Sequence, residues 1–196
     1  MPRPYQAGAR RLAARAATRS KILEAARALL ADPNAGAFSI DAVAERADVA
    51  RMTIYYQFES KAKLLEALFD DVAARSDMRR MRRVFEEHDL QRSLGILVDV
   101  FCHLWETESS LLRRLTALAG IDPEVDKALK DRGQWRREAL STLFERLPKR
   151  KNVGDLVNVL YAITSFETYA TLRDRQSRNK VHESLKRAAD ALVRAY

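Results

Sequence analysis

The sequence predicts an all-α protein, with three short helices arranged as a helix-turn-helix near the N-terminus and a larger helical bundle after them. Residues that interrupt helices are rare, since 196 residues contain only 6 glycines and 5 prolines. The prolines fall at positions 2, 4, 33, 123 and 148, so that a long stretch between them has none. Alanine, leucine, arginine and glutamate, which favour helices, are abundant. Apolar residues recur at helical spacing in each periodic segment, and none alternates with the period of a strand.

Composition limits the class of protein further. With 47% hydrophobic and 32% charged residues, the chain is expected to be soluble and globular, with one domain or at most two. The sequence contains no apolar run as long as a membrane span. The single cysteine, Cys102, excludes an internal disulfide, and three histidines at unsuitable spacing indicate no metal site. We therefore expect a cytoplasmic protein without a metal or cofactor.

Positive charge is concentrated at the N-terminus. The formal net charge is +8 and the isoelectric point about 9.8, which favours a polyanionic partner such as nucleic acid or an anionic membrane surface. Six cations and no anion precede Glu24, namely Arg3, Arg10, Arg11, Arg15, Arg19 and Lys21. These arginines exclude the apolar core of a signal peptide. A transit peptide, a solvated tail and an arm that contacts DNA remain open for this segment.

Three helices follow this basic segment. The first is predicted to begin at Ser20, because the apolar residues that follow share one helical face. It stops before Asp32. The second runs from Ile40 to Ala47 with Ser39 as its N-cap. The third covers about Ala50 to Gln57, with its start marked by a tight turn. This arrangement predicts a helix-turn-helix whose third helix enters the major groove of DNA.

Longer helices are predicted for the rest of the chain. One begins at Lys61 and continues through Met78, Met81 and Phe85, and it is long enough to link two regions. The remaining segments are Leu90 to Glu106, Ser110 to Ala119, Glu124 to Leu147, Gly154 to Arg173 and Asn179 to Ala195. Glycine-rich phosphate loops and a nucleophile elbow are missing from the sequence. Neither a paired acid and base nor a nucleophile arrangement is evident, so we do not expect an enzyme.

The two faces of the third helix have different chemistry. Val43, Val49, Ile54 and Phe58 are apolar and would fix the second and third helices rigidly to each other. The opposite face is polar or adaptable and consists of Arg51, Met52, Thr53, Tyr56 and Gln57. An arginine fork suits guanine, a thioether or methyl surface suits thymine, and hydroxyls suit phosphates. These residues are therefore the candidates for reading base edges.

The segment from Phe38 to Leu65 resembles the signature of the tetracycline-repressor (TetR) family. Its most specific part is Thr53-Ile54-Tyr55-Tyr56-Gln57-Phe58, followed by Lys61 and Leu64-Leu65. The resemblance implies that Ser39 and Ile40 lie near the DNA backbone and that Tyr55 and Lys61 contact phosphates. Asp48 departs from the family's usual glycine in the turn, and Ala50 from its common capping serine. We expect Asp48 to take a left-handed conformation, and the third helix to be capped from Asp48 or left uncapped.

The resemblance also implies a division of the chain into a basic arm (1–20), a helix-turn-helix domain (21–65) and a ligand-binding and dimerisation domain (66–196). In the family, the last two helices of two protomers form a four-helix bundle, and a homodimer with two recognition helices would bind a palindromic operator in double-stranded DNA. The implied function is a transcriptional repressor that a small-molecule effector releases, with no membrane partner. Arg10, Arg11, Arg15 and Arg19 would be the DNA contacts of the arm. The aromatic and sulfur-bearing residues on interior stripes are candidates for the effector pocket, although residues at such spacing belong to a core more often than to a ligand site: Phe101, Cys102, Trp105, Trp135, Phe144, Tyr161, Phe166 and Tyr169.

A DNA-binding protein without sequence preference is the main alternative, because it too would explain the basic arm and the high isoelectric point. A helical enzyme or ligand carrier is the other, and the sequence lacks the catalytic groups that it would need.

Overall fold

The computed structural model of the protein describes residues 4–32, 34–145 and 152–196. Helices make up 83% of the structure, and the described ranges contain no strand. The prediction of an all-α fold is therefore confirmed. The helices are α1 (Pro4–Ala31), α2 (Ile40–Arg46), α3 (Arg51–Phe58), α4 (Lys61–Arg75), α5 (Met81–Glu86), α6 (Leu90–Thr107), α7 (Ser109–Ala119), α8 (Pro123–Phe144), α9 (Val153–Ile163), α10 (Phe166–Arg173) and α11 (Arg178–Ala195).

The first helix is much longer than the sequence predicts. We expected a basic arm up to residue 20 and a helix from Ser20, but α1 is continuous over 28 residues from Pro4. Alanines and arginines fill its first half, and both have high helix propensity. Proline is also tolerated at the first position of a helix, where its missing N–H has no partner to lose. Of the predicted arm, Arg3 lies outside the described residues.

The helices α1, α2 and α3 pack against one another as a helix-turn-helix. Ile22, Val43, Ile54 and Phe58 are almost completely buried between them. The turn closes where the Val49 N–H donates to the Ala44 carbonyl at 3.1 Å. The apolar stripe that spacing predicts therefore forms the mount on which α3 sits.

The helix that begins at Lys61 ends earlier than predicted. Instead of continuing through Met78 to Phe85, α4 stops at Arg75. Asp77 takes a left-handed conformation with φ of 50° and precedes a 3-10 helix at Met78–Arg80. Serine and aspartate favour such breaks, because their short polar side chains compete for backbone hydrogen bonds. Met81 is buried, but it belongs to the separate helix α5.

The predicted helix from Gly154 to Arg173 is also two helices. It breaks after Ile163, and Ser165 caps α10 by accepting a hydrogen bond from the Thr168 N–H at 3.2 Å. The helix predicted up to Leu147 ends at Phe144, where a turn at Glu145 follows, and Leu147 lies outside the described residues.

The chain packs into two compact units, neither of which is continuous in sequence. The first extends to Asp71 and includes Arg113–Ala128, and the second comprises Val72–Leu112 and Leu129–Tyr196. In the second unit, α6 packs against α5, α10 and α11, and α9 packs against α11.

Candidate DNA-binding site

The recognition helix α3 presents one buried and one exposed face. Ile54 and Phe58 are 1% and 3% exposed, whereas Met52 and Tyr56 are 55% and 75% exposed. Met52 and Tyr56 lie four residues apart, so they form an exposed pair on one face of the helix. The face opposite the mount is therefore available for contact, as the helical spacing indicates.

Arg51 is held at the start of this face by two neighbours. Its Nη1 lies 3.1 Å from a carboxylate oxygen of Asp41, which comes from α2. Its Nη2 donates to the Tyr55 hydroxyl at 3.2 Å, and the guanidinium lies 5.7 Å from the centre of the Tyr55 ring. The hydrogen bond to Tyr55 and the charge of Asp41 raise the pKa of Arg51. The Arg51 guanidinium is thus charged and held in a defined direction. The sequence analysis did not identify the role of Asp41.

Gln57 and Arg19 take part in contacts between α1 and α3. The Gln57 side chain donates to the Arg15 carbonyl at 3.4 Å. Arg19 donates to the Gln57 carbonyl at 2.8 Å, and its guanidinium lies 4.2 Å from the centre of the Phe58 ring. Arg19, which we expected to contact DNA, therefore has a structural role in this conformation. Thr53 is half-buried beside the exposed residues of α3.

Ser39 and Ile40 have different environments at the start of α2. Ser39 is the N-cap, and its hydroxyl accepts a hydrogen bond from the Ala42 N–H at 3.1 Å. The Ile40 side chain is 7% exposed. Ile40 therefore belongs to the core, and its side chain does not lie on the surface that would meet DNA.

The two departures from the family pattern are accommodated as expected. Asp48 has a φ of 46°, a left-handed conformation that aspartate adopts at modest cost. Ala50 is the N-cap of α3, and no side-chain cap bond is made. Of the two alternatives for α3, the structure shows the uncapped helix.

Three arginines remain exposed on the first half of α1. Arg10, Arg11 and Arg15 are exposed, and none makes an ion pair with a residue that the structure describes. These cations can approach phosphates at little cost in free energy, because no internal contact has to break.

Lys61, by contrast, is engaged by carboxylates. Its ammonium forms an ion pair with Asp122 and lies 3.6 Å from Glu124. Burial opposes the charged form of Asp122, but the Lys61 bond and the backbone N–H groups of Val125 and Glu124 outweigh it, and the pKa of Asp122 is lowered. The predicted phosphate contact of Lys61 must therefore compete with these acids. Sequence reasoning missed Asp122, which is 61 residues away along the chain.

The effector-pocket candidates fall into groups in the second unit. Phe101 stacks on Trp105 at 5.6 Å between ring centres, and Phe166 meets Trp105 edge-on at 6.0 Å. Tyr161 lies beside the buried Arg136, which sequence reasoning did not single out. The remaining candidates divide by burial: Cys102, Phe144 and Tyr169 are buried, whereas Trp135 is 42% exposed. Placing Trp135 on an interior stripe was therefore wrong, because its position on α8 faces outward.

Burial also determines the chemistry of Cys102. Removal from water, together with the nearby charge of Asp99, raises its pKa to about 12. The thiol is therefore protonated at neutral pH and is not a nucleophile.

A rigidly mounted α3 with an exposed polar and aromatic face defines a helix-turn-helix DNA-binding protein with a second helical unit. Comparison of sequences gives the family: residues 22–68 match the family of "Bacterial regulatory proteins, tetR family". The resemblance to the TetR family seen in the sequence is therefore confirmed for this segment. A search of curated proteins gives no match.

Solved structures share the fold over most of the chain. NalD, "the secondary repressor of MexAB-OprM multidrug efflux pump in Pseudomonas aeruginosa", is 21% identical, with a TM-score of 0.67 over 92% of this chain and 96% of its own. A transcriptional regulator from Rhodococcus is 12% identical, with a TM-score of 0.67 over 90% and 96%. The fatty acid degradation regulator FadR of Bacillus halodurans is 18% identical, with a TM-score of 0.62 over 87% and 93%. At these identities the likeness is one of fold. None of the described helices is long and apolar enough to cross a membrane.

Proposed function

We propose that the protein is a homodimeric transcriptional repressor that binds a palindromic operator through α3 and leaves it when a small-molecule effector binds the second unit. The observation that carries the first part is the exposed face of α3, with Met52 and Tyr56 open to solvent and Arg51 directed by Asp41 and Tyr55. A helix mounted on an apolar core and exposing such groups can read base edges.

Dimerisation is supported by the open side of α11. Ala188, Ala191 and Ala195 are exposed and Leu192 is half-buried, at positions that share one helical face. Small residues on an open face of a helix allow another helix to approach closely. A two-fold dimer would present two copies of α3 about one turn of DNA apart, roughly 34–36 Å.

Release by an effector requires that a ligand favour the conformation in which the two copies of α3 are misplaced for DNA. The coupling free energy in such systems is typically about 1–3 kcal/mol. The helix α4 is the natural lever, because it begins at Lys61, a predicted phosphate contact, and ends at Arg75 in the second unit.

The test is selection of random DNA duplexes on the purified protein near physiological salt, with nonspecific competitor present. A palindromic consensus is expected, and the variant Tyr56→Ala should lose it while retaining its fold. Leu12→Ala is a matched control, because Leu12 is another large exposed residue, 71% exposed, on α1.

A DNA-binding protein without sequence preference is the second candidate, and the exposed arginines of α1 favour it. Retention of duplexes without enrichment of any sequence would establish that candidate and refute the first. If no duplex is retained by protein that has been unfolded and refolded to remove bound small molecules, both candidates fail.

A further inference from the structure

Arg136 is an uncompensated cation in the interior of the second unit. Its side chain is 6% exposed. Among the residues that the structure describes, no carboxylate lies within ion-pair distance of its guanidinium. Arginine is rarely buried without an anionic partner, because removing its charge from water costs several kcal/mol.

The hydrogen bonds of Arg136 leave some of its donors unused. Nη1 donates to the Tyr161 carbonyl at 2.8 Å and to the Thr164 hydroxyl at 2.9 Å. A guanidinium has five N–H donors. The guanidinium also has a side-chain hydrogen bond with Tyr161. These three bonds leave two of the five donors for a further acceptor, and a carboxylate can accept two hydrogen bonds from one guanidinium.

The surrounding charges leave this site positive. The neighbouring Arg137 adds a second cation, and its guanidinium lies 4.3 Å from the centre of the Tyr161 ring. Burial lowers the pKa of Arg136, and its contacts with Tyr161 and the charge of Glu167 offset this only in part. Glu167 is itself exposed, so solvent weakens its effect.

Aromatic rings surround the same guanidinium. It lies 4.1 Å from the centre of the Tyr161 ring, 5.7 Å from that of Phe101 and 5.8 Å from that of Trp105. Rings in this arrangement would by themselves attract a cation. Because Arg136 already occupies that position, a cationic ligand would be repelled, and an anion with an apolar body would be complementary.

We propose that Arg136 binds the carboxylate of the effector and that the rings of Trp105 and Tyr161 contact its apolar part, so that the effector is a small organic anion with an aromatic or aliphatic body. The proposal deepens the effector step of the proposed function and rests on it. Specificity would come from charge at the guanidinium and from apolar contact with the rings.

The probes form two series, and the three compounds within each series differ in charge but hardly in shape. One comprises phenylacetate, phenylacetamide and phenethylammonium, and the other octanoate, octanamide and octylammonium. The variant Trp135→Phe leaves Trp105 as the single tryptophan, because the chain has two. Binding is followed by the fluorescence of Trp105, whose ring lies beside Arg136. We expect the carboxylates to bind at least about tenfold more tightly than the amides, since hydrogen bonds between charged partners are roughly twice as strong as neutral ones.

The variants assign the preference to Arg136. Arg136→Met should reduce the affinity for the carboxylates to that for the amides. Arg178→Met is the matched control, since it removes another arginine of the second unit, one whose Nε lies 2.6 Å from Glu106, and it should retain the preference. Urea unfolding of each variant shows whether it is folded. If Arg136→Met does not fold, the comparison of carboxylates with amides on protein that retains Arg136 still tests the proposal.

Amides or ammonium ions that bind as tightly as the carboxylates would overturn the proposal. So would a preference for carboxylates that persists in folded Arg136→Met, or a lack of binding by every probe. Failure of the proposed function is distinguishable, because selection of DNA duplexes tests it without any ligand. If a selected operator is released by an uncharged compound but by no carboxylate, the repressor stands and the anion site fails.

Discussion

Replacing Asp122 with asparagine is expected to strengthen binding to every DNA duplex through Lys61. In the structure, the Lys61 ammonium forms an ion pair with Asp122 and lies 3.6 Å from Glu124. The three charges sum to −1, and this net charge opposes a phosphate. Asparagine is as good an N-cap as aspartate, so it can still accept the hydrogen bonds that Asp122 receives from the Glu124 and Val125 N–H groups at 3.1 and 3.3 Å. The substitution therefore removes charge with little effect on the start of α8.

The magnitude follows from Coulomb's law. A phosphate and a carboxylate on opposite sides of one ammonium are roughly 5.5 Å apart, and their repulsion at the dielectric constant of water is about 0.75 kcal/mol. This distance is shorter than the Debye length at 0.1 M salt, about 10 Å, so screening is incomplete. In the proposed homodimer, the two protomers together give about 1.5 kcal/mol, or roughly tenfold in affinity.

The assay is fluorescence anisotropy with a labelled random duplex and, once selected, with the operator, across a series of salt concentrations. Asp122→Asn should tighten binding to the random duplex and to the operator by the same factor. Lys61→Ala should abolish the gain, so that the double variant binds no more tightly than Lys61→Ala alone. Glu66→Gln is the matched control, since it removes an acid paired with Lys63 at 2.7 Å on the exposed side of α4. A gain that persists without Lys61, or an equal gain in Glu66→Gln, would refute the competition between Asp122 and phosphate.

Three further predictions concern α3 and the second unit. Arg51→Ala should relax the sequence preference at one operator position by roughly tenfold, as measured with single-base operator variants, and uniform weakening would contradict base contact. In urea unfolding, Gly133→Ala should destabilise the protein by about 1–3 kcal/mol, because the added Cβ would meet the Tyr161 hydroxyl. Gly95→Ala, where nothing lies within 4 Å, should instead stabilise it by about 0.5–1 kcal/mol. Cys102, with a pKa of about 12, should resist iodoacetamide at pH 8 until urea unfolds the chain, and alkylation of the native protein would show an accessible thiolate.

Local patterns were sufficient to predict the helix-turn-helix. The spacing of Ile54 and Phe58 determines which side of α3 is buried, and Ser39 marks the start of α2. The left-handed conformation of Asp48 follows from the need for a tight turn between two short helices. All these features depend on residues within a few positions of one another, where propensity and periodicity carry the information.

Helix boundaries were less predictable, because competing local preferences are close in free energy. The basic charge of residues 10–19 suggests an extended arm next to DNA, whereas their alanine content favours the helix that forms. The breaks at Asp77 and Ser165 come from polar side chains that end helices in some contexts and are tolerated in others. A periodic apolar stripe continues across both breaks, so periodicity alone cannot place them.

The environments of the Lys61 and Arg136 side chains could not be predicted from the sequence pattern. Both are charged residues on amphipathic helices, and in sequence each is typical of a solvated face. Their environments come from distant segments: the partner of Lys61 lies 61 residues away, and Arg136 reaches an acceptor 28 residues away at Thr164. Lys61 is paired with acids, whereas Arg136 has no carboxylate partner among the described residues. The net charge of +8 counts the two equally, yet the first would have to give up a partner before it binds phosphate, while the second is already arranged for an anion.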